Sequence, residues 1–252
     1  MKKLPIGIQS FGKLRKGDYL YVDKTADIYR IVTGGNIYFL SRPRRFGKSL
    51  LIDTMEELFR GNKELFEGLY IYDKWDWTQQ YPVIRIDWTA ISHSSKEETE
   101  ESMSVFLKGI AGNYGIALSN RLASDQFGEL INGIYQKTGQ QAVVLIDEYD
   151  VPILDAIGKP EMTGICEFLR DFYRRLKACD NYLEFVFLTG VSKFLKYFIF
   201  LELNSVNDIT MNKKYASLCG YTQQELEHYF SECVDDIARK NGMPVEAMLD
   251  NV

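Results

Sequence analysis

In IYFLSRPRRFGKSLLID, residues 37–53, an apolar run leads through a basic loop into an amphipathic pattern, and the loop closes on Gly47-Lys48-Ser49. A strand, a tight loop and a helix in that order suit a phosphate-gripping P-loop. Backbone N–H groups converge on an anion there, and the helix N-terminus adds its dipole. The full pattern G-x-x-x-x-G-K-[ST] wants glycine at position 42, where this chain has Arg42, followed by Pro43, Arg44 and Arg45. That first glycine only begins the loop. Gly47 stands where backbone must approach phosphate, Lys48 has the reach for the β and γ oxygens, and the Ser49 hydroxyl suits Mg²⁺. A basic surface turn explains the same letters, so the loop alone leaves both readings open.

A second block narrows the choice. AVVLIDEYD, residues 142–150, is an apolar, β-branched strand that ends on Asp147 and Glu148. Taken singly it is an ordinary strand end. Downstream of a Gly-Lys-Ser strand, its acids suit triphosphate hydrolysis: Asp147 holds the Mg²⁺ shell, and Glu148 orients or deprotonates the attacking water.

A third strand end, FVFLTGVSKF, offers Thr189, Ser192 and Lys193 as sensors of the γ-phosphate, provided its strand lies between the other two. A capped turn explains those residues equally well. Asp87, closing YPVIRIDWT, reads as a turn residue or as an aid in positioning water. Tyr149 and Asp150 read as residues that pack and cap the following turn, where Pro152 should prevent immediate helix formation.

The rest of the pattern alternates. Helices are expected at TADIYRIVTGG with Thr25 as cap, at GKSLLIDTMEELFRGN, across roughly residues 103–136, and at CEFLRDFYRRLK. The polar run SHSSKEETEES reads as a solvated loop leading into a helix. Strands alternating with helices imply an α/β fold with a mostly parallel sheet covered on both faces. From about residue 205 the character changes. YTQQELEHYFSECVDDIARK reads as one helix with Thr222 and Glu225 forming a capping box. The expected division is a core over residues 1–204 and the start of a helical lid or second domain over 205–252.

Composition excludes more than it assigns. A formal net charge of −5 gives no global reason to expect nucleic acid or an anionic membrane as partner. The four cysteines form no C-x-x-C pair and the two histidines, His93 and His228, stand far apart, which argues against zinc. Unpaired thiols suit a cytoplasmic location, and no apolar run is long enough to span a bilayer. Trp75, Trp77 and Trp88 fall at spacings that suit a core rather than a platform for stacked bases.

The blocks LPIGIQSFGKLRKGDYLYVDKT, RPRRFGKSLL, NKELFEGL, YPVIRIDWT, VLIDEYDVPI, FLTGVSKF and YASLCGYTQQELE follow one another as they do in a bacterial family. From about Leu4 to His228 the chain resembles the AAA-ATPase-like family, whose members commonly carry a PD-(D/E)xK nuclease-like domain after the ATPase. The resemblance implies an ASCE-type P-loop NTPase core with a C-terminal helical lid segment. It also makes Arg42 a trait of the family and sets YVDKT near an adenine. Two departures stand out: LKYFIFLELN, residues 195–204, is bulkier than the small polar stretch expected after the sensor strand, and Val252 comes before any nuclease-like domain.

The reading that follows is Mg²⁺-dependent binding of ATP or ADP, with hydrolysis, as a switch or motor for an attached domain or partner. The segment expected at the nucleotide comprises Arg44, Arg45, Phe46, Gly47, Lys48, Ser49 and Leu50, with Lys48 and Glu148 catalytic and Ser49 and Asp147 on the metal. The alternative is a non-hydrolysing ADP/ATP-binding regulatory module. Assembly into a homo-oligomer, which would let an arginine arrive from a neighbouring subunit, stays open, as does a link to DNA through a nuclease-like domain. No membrane partner and no nuclease activity are expected of this chain.

Overall fold

A computed structural model describes residues 2–193 and 206–241. The bulky segment 195–204, the expected boundary at 204/205 and the stretch beyond 241 lie outside the described residues. Five strands form one parallel sheet: β1 (Ile37–Ser41), β2 (Val83–Asp87), β3 (Ala142–Asp147), β4 (Leu183–Gly190) and β5 (Asn207–Asp208), in the order β2-β3-β4-β1-β5. Parallel neighbours cannot be joined by hairpins, so the connections from β1 to β2, β2 to β3 and β3 to β4 cross over through helices and cover the faces of the sheet.

That covering explains the near-continuous apolar runs. All five residues of β1 and all six of β3 are buried. Side-chain alternation then sorts them between two cores. Phe39, Val144, Ile146, Val186 and Leu188 face α4 (Lys96–Asn113), α5 (Ala123–Thr138), α6 (Val151–Ala156) and α7 (Met162–Ala178). Tyr38, Leu40, Val143, Leu145, Phe185 and Phe187 face α1 (Phe11–Lys16), α2 (Thr25–Val32) and α3 (Lys48–Phe59). Asp53 on α3 stitches that second layer together: its carboxylate accepts from the Phe11 N–H and pairs with Arg85 of β2, each at 2.6 Å. Two short helices, α8 (Gln223–Tyr229) and α9 (Ser231–Asn241), follow β5. Among the described residues no helix is long and apolar enough to cross a membrane.

Several local expectations are corrected. The polar run at 92–102 is mostly helix: α4 starts at Lys96, capped by the Ser95 hydroxyl, and its charges clothe a solvent face. Pro152 does not delay α6 but sits in its first turn, where a missing N–H costs nothing. Thr25 is the first residue of α2 rather than its cap. Its hydroxyl donates to Asp23 and accepts from the Ile71 N–H, while the other Asp23 oxygen accepts from the Tyr70 N–H. The Thr222–Glu225 capping box is present, but the single helix expected over 221–240 breaks at Phe230 into α8 and α9.

Candidate nucleotide site

β1 delivers the loop. Ser41 ends the strand, with its Oγ donating to the Val191 carbonyl at 2.7 Å. Arg45 (φ 68°) and Gly47 (φ 89°) then alternate in sign with their neighbours, the backbone pattern that gathers successive N–H groups into an anion nest. A Cβ on Gly47 would meet nothing within 4 Å, so its φ and not crowding favours glycine there. Lys48 opens α3 and is only 3% exposed. Its ammonium donates to the Pro43 carbonyl at 3.2 Å and lies 3.3 Å from Oε1 of Glu148. Arg44, Arg45 and Phe46 are exposed, and Ser49 and Leu50 half-buried.

The facing wall is the end of β3. Asp147 is fully buried; its Oδ1 accepts from the Thr189 hydroxyl, and its Oδ2 has no protein partner. Glu148 adopts φ 55°, a left-handed conformation that strains a residue with a side chain, and its Oε2 is likewise buried without a partner. Burial raises the Glu148 carboxyl above its ordinary range, the Lys48 charge opposes that, and Asp147 adds to it.

β4 lies between β3 and β1, which places Thr189 beside Asp147 and the turn after Gly190 beside Ser41. Thr189 donates to the acid instead of pointing a free hydroxyl at a ligand. Ser192 and Lys193 are half-buried in that turn, and two residues weighted lightly in the sequence hold it. Asp150 accepts from the Val191 and Ser192 N–H groups, and the Tyr149 hydroxyl donates to the Ser192 carbonyl. They brace this distant turn rather than the one they precede. Gly190 is there because a Cβ would fall 2.3 Å from the Tyr149 ring and 2.6 Å from Oδ1 of Asp150. The available signal was an Asp three residues past the end of an apolar strand, which does not name its partner.

Other candidates fall outside the centre. Asp87 accepts from the N–H and hydroxyl of Thr89 and is thereby a turn residue. YVDKT braces the 70–71 segment through Asp23 and Thr25, while Lys24 pairs with Glu225 of α8. Arg42 donates to the carbonyls of Ser41, Thr210 and Tyr215, a role that motif spacing does not suggest.

The arrangement fits a magnesium nucleotide. A buried carboxylate oxygen without a partner is costly; Asp147 and Glu148 each have one, and the other oxygen of Glu148 lies 3.3 Å from the Lys48 ammonium. The donors are hard oxygens, and the described residues contain no group of three His, Cys, Asp or Glu able to hold a metal by themselves. Mg²⁺ is characteristically bound in that way, by one or two protein oxygens with phosphate and water completing its shell.

A parallel sheet with this strand order, a Gly-Lys-Ser loop after β1 and an Asp-Glu pair closing the non-adjacent β3 define an AAA-ATPase-like P-loop fold. The chain belongs to the AAA-ATPase-like family, whose model, described as "Predicted AAA-ATPase", matches residues 5–200. It is also 44% identical over 232 residues to the "Uncharacterized protein in vnfD 5'region" of Azotobacter chroococcum mcd 1, covering 91% of this chain and 45% of that protein. The chain thus spans less than half the length of that relative. Family membership supports ATP binding in general terms.

Proposed function

We propose that the protein binds Mg-ATP between residues 44–50 and the end of β3 and hydrolyses it to ADP and phosphate. The observation that carries this reading is the Lys48–Glu148 pair at 3.3 Å, set beside a buried, unpartnered oxygen of Asp147. Lys48 and Glu148 are each other's nearest charge partners in the site. A triphosphate offers Lys48 a stronger anionic partner and leaves Glu148 an unpaired base.

In this reading the loop amides and Lys48 grip the phosphates, and Ser49 with Asp147 hold Mg²⁺. When bound, Mg²⁺ would offset charge on the β- and γ-phosphate oxygens. Glu148 orients a water and takes its proton as the water oxygen bonds to the γ-phosphorus and the bond to the ADP oxygen breaks. Thr189 keeps the Asp147 carboxylate in its rotamer, and Lys193 sits in the adjoining turn as the candidate γ-phosphate sensor. Residues 206–241 act as a lid, and cysteines outside disulfides at Cys166, Cys179, Cys219 and Cys233 suit a reducing cytoplasm. The cycle serves as a switch or motor for an attached domain or partner, with a homo-oligomer as the source of any completing arginine.

The test is a calorimetric titration of nucleotide-free protein with Mg-ATP and Mg-ADP, beside Lys48→Ala and a phosphate-release assay. Binding that vanishes in Lys48→Ala, with release lost in Glu148→Gln but binding kept, is the expected result. Stoichiometric binding without turnover in the wild type would leave a nucleotide-set regulatory module. No binding by folded wild type removes the proposal.

A further inference from the structure

Arg42 stands where the general loop pattern has glycine, and its guanidinium is occupied by backbone. Nη1 donates to the Thr210 carbonyl at 2.8 Å and to the Ser41 carbonyl at 2.9 Å, while Nη2 donates to the Tyr215 carbonyl at 3.1 Å. Thr210 answers with its hydroxyl, which accepts from the Ser41 N–H at 3.0 Å. The first residue of the phosphate loop is therefore tied to the chain that follows β5. A rigid, multi-donor fork can bridge carbonyls from two turns at once, which glycine cannot do and lysine does only at a single point.

The same stretch of chain returns to the loop further along. Phe46 lies 3.4 Å from where a Cβ on Gly220 would sit. Its neighbour Cys219 is 7% exposed. Burial pushes that thiol up to about 11, opposed by the charges of Arg42 and Lys48 at the loop and of Lys24 before α2. Beyond it, Glu225 of α8 pairs with Lys24. Residues 207–225 thus meet the phosphate loop at Thr210, Tyr215 and Gly220, and are tied to the segment before α2 at Glu225.

We propose that Arg42 is a positioning residue that couples the phosphate loop to residues 207–225, so that nucleotide bound at the loop draws this segment tighter and shields Cys219. The inference rests on the nucleotide reading above. Its physical content is short: a loop that closes on phosphate moves the residue at its mouth, and Arg42 passes that displacement to Thr210 and Tyr215 through bonds it makes itself.

The experiment measures alkylation of Cys219 by N-ethylmaleimide, by peptide mass mapping on the full chain, with and without Mg-ADP. Cys179 is an internal reference: it is 8% exposed and belongs to the core on the opposite face of the sheet, so only general loosening frees it. In the wild type, Mg-ADP should slow Cys219 about tenfold and leave Cys179 unchanged, within the ~5–150-fold range typical of coupled sites. Arg42→Gly restores the general loop pattern. It should keep Mg-ADP binding by calorimetry while Cys219 loses its protection and Cys179 keeps its rate; Arg42→Lys should retain part of the protection. Undiminished protection in Arg42→Gly overturns the proposal. So does loss of Mg-ADP binding by folded Arg42→Gly, since Arg42 would then belong to the phosphate grip. Wild type that binds Mg-ADP without shielding Cys219 overturns the coupling alone, whereas wild type that binds no nucleotide overturns the nucleotide reading and the coupling with it.

Discussion

Lys48 and Glu148 meet 3.3 Å apart across a strand that belongs to neither of them: Lys48 follows β1, Glu148 follows β3, and β4 separates the two in the sheet. The lysine is long enough to reach past the end of β4. One consequence is that the end of β4 lies beneath a charge pair, so anything that alters its turn is felt on both sides. Another is that the two charges depend on each other in the absence of nucleotide.

That dependence is measurable. Replacing Lys48 by Met leaves the Glu148 carboxylate half-buried with no cation, while replacing Glu148 by Gln as well removes the charge that needed one. A double-mutant cycle on unfolding in nucleotide-free buffer should give a coupling of about 0.5–3 kcal/mol, the range for groups in contact. Strict additivity of the two single changes would mean that the pair contributes nothing without phosphate, and that Glu148 is not held by Lys48.

Gly190→Ala tests the brace behind the site. Its Cβ would press on the Tyr149 ring at 2.3 Å and on Asp150 Oδ1 at 2.6 Å, and a fully buried ring packed against Phe39 cannot step aside cheaply. Overpacking of this kind costs about 1–3 kcal/mol. The displaced groups hold residues 191–193, so phosphate release should fall more than nucleotide affinity. Gly47→Ala makes the contrast: it has open space but φ 89°, and the left-handed strain of about 1–2 kcal/mol should appear in binding. Equal losses of affinity in the two variants would contradict this division.

Much of the architecture was legible because a parallel sheet buried on both faces leaves unbroken apolar runs, and β1 and β3 show them plainly. The P-loop and the acid pair were legible for a related reason, since the loop must lie between one such run and an amphipathic helix. Strand order was not, because pairing β4 between β1 and β3 is a non-local fact that no window of sequence contains. The same limit hid Arg42, whose acceptors lie 168 and 173 residues away, and Asp150, whose carboxylate serves a turn 42 residues on. The start of α4 was missed for another reason. Its first turns are mostly charged, and the buried stripe begins there on polar Thr99 before Met103, Leu107 and Ala111 make it apolar.

Phe172→Ala should separate stability from the site. Phe172 is fully buried in the core opposite the P-loop helix and stacks on Phe127 with ring centroids 4.4 Å apart and planes 7° from parallel. Removing the ring costs about 3–5 kcal/mol in transfer and cavity energy. The fraction that stays folded should bind nucleotide with unchanged affinity, because neither α5 nor α7 supplies a residue to the site. A change in affinity measured well below the melting temperature would mean that this core is coupled to the loop.

Acid stability should trace to a loop far from the nucleotide. The Glu129 carboxylate on α5 accepts from the N–H and hydroxyl of Ser119 and from the N–H and side-chain amide of Asn120, at distances of 2.6–3.0 Å. Burial alone would raise its pKa, but those donors outweigh it and lower the group from 4.5 to about 2. A carboxyl held below its unfolded value contributes stability that is complete above pH 4.5 and disappears as the pH falls toward about 2. Water reaches this side chain, so the contribution is about 1 kcal/mol at most. Glu129→Gln should therefore melt lower than the wild type at pH 7 and converge with it near pH 2.5. Parallel melting curves across that range would show that the Ser119–Asn120 turn holds without the charge.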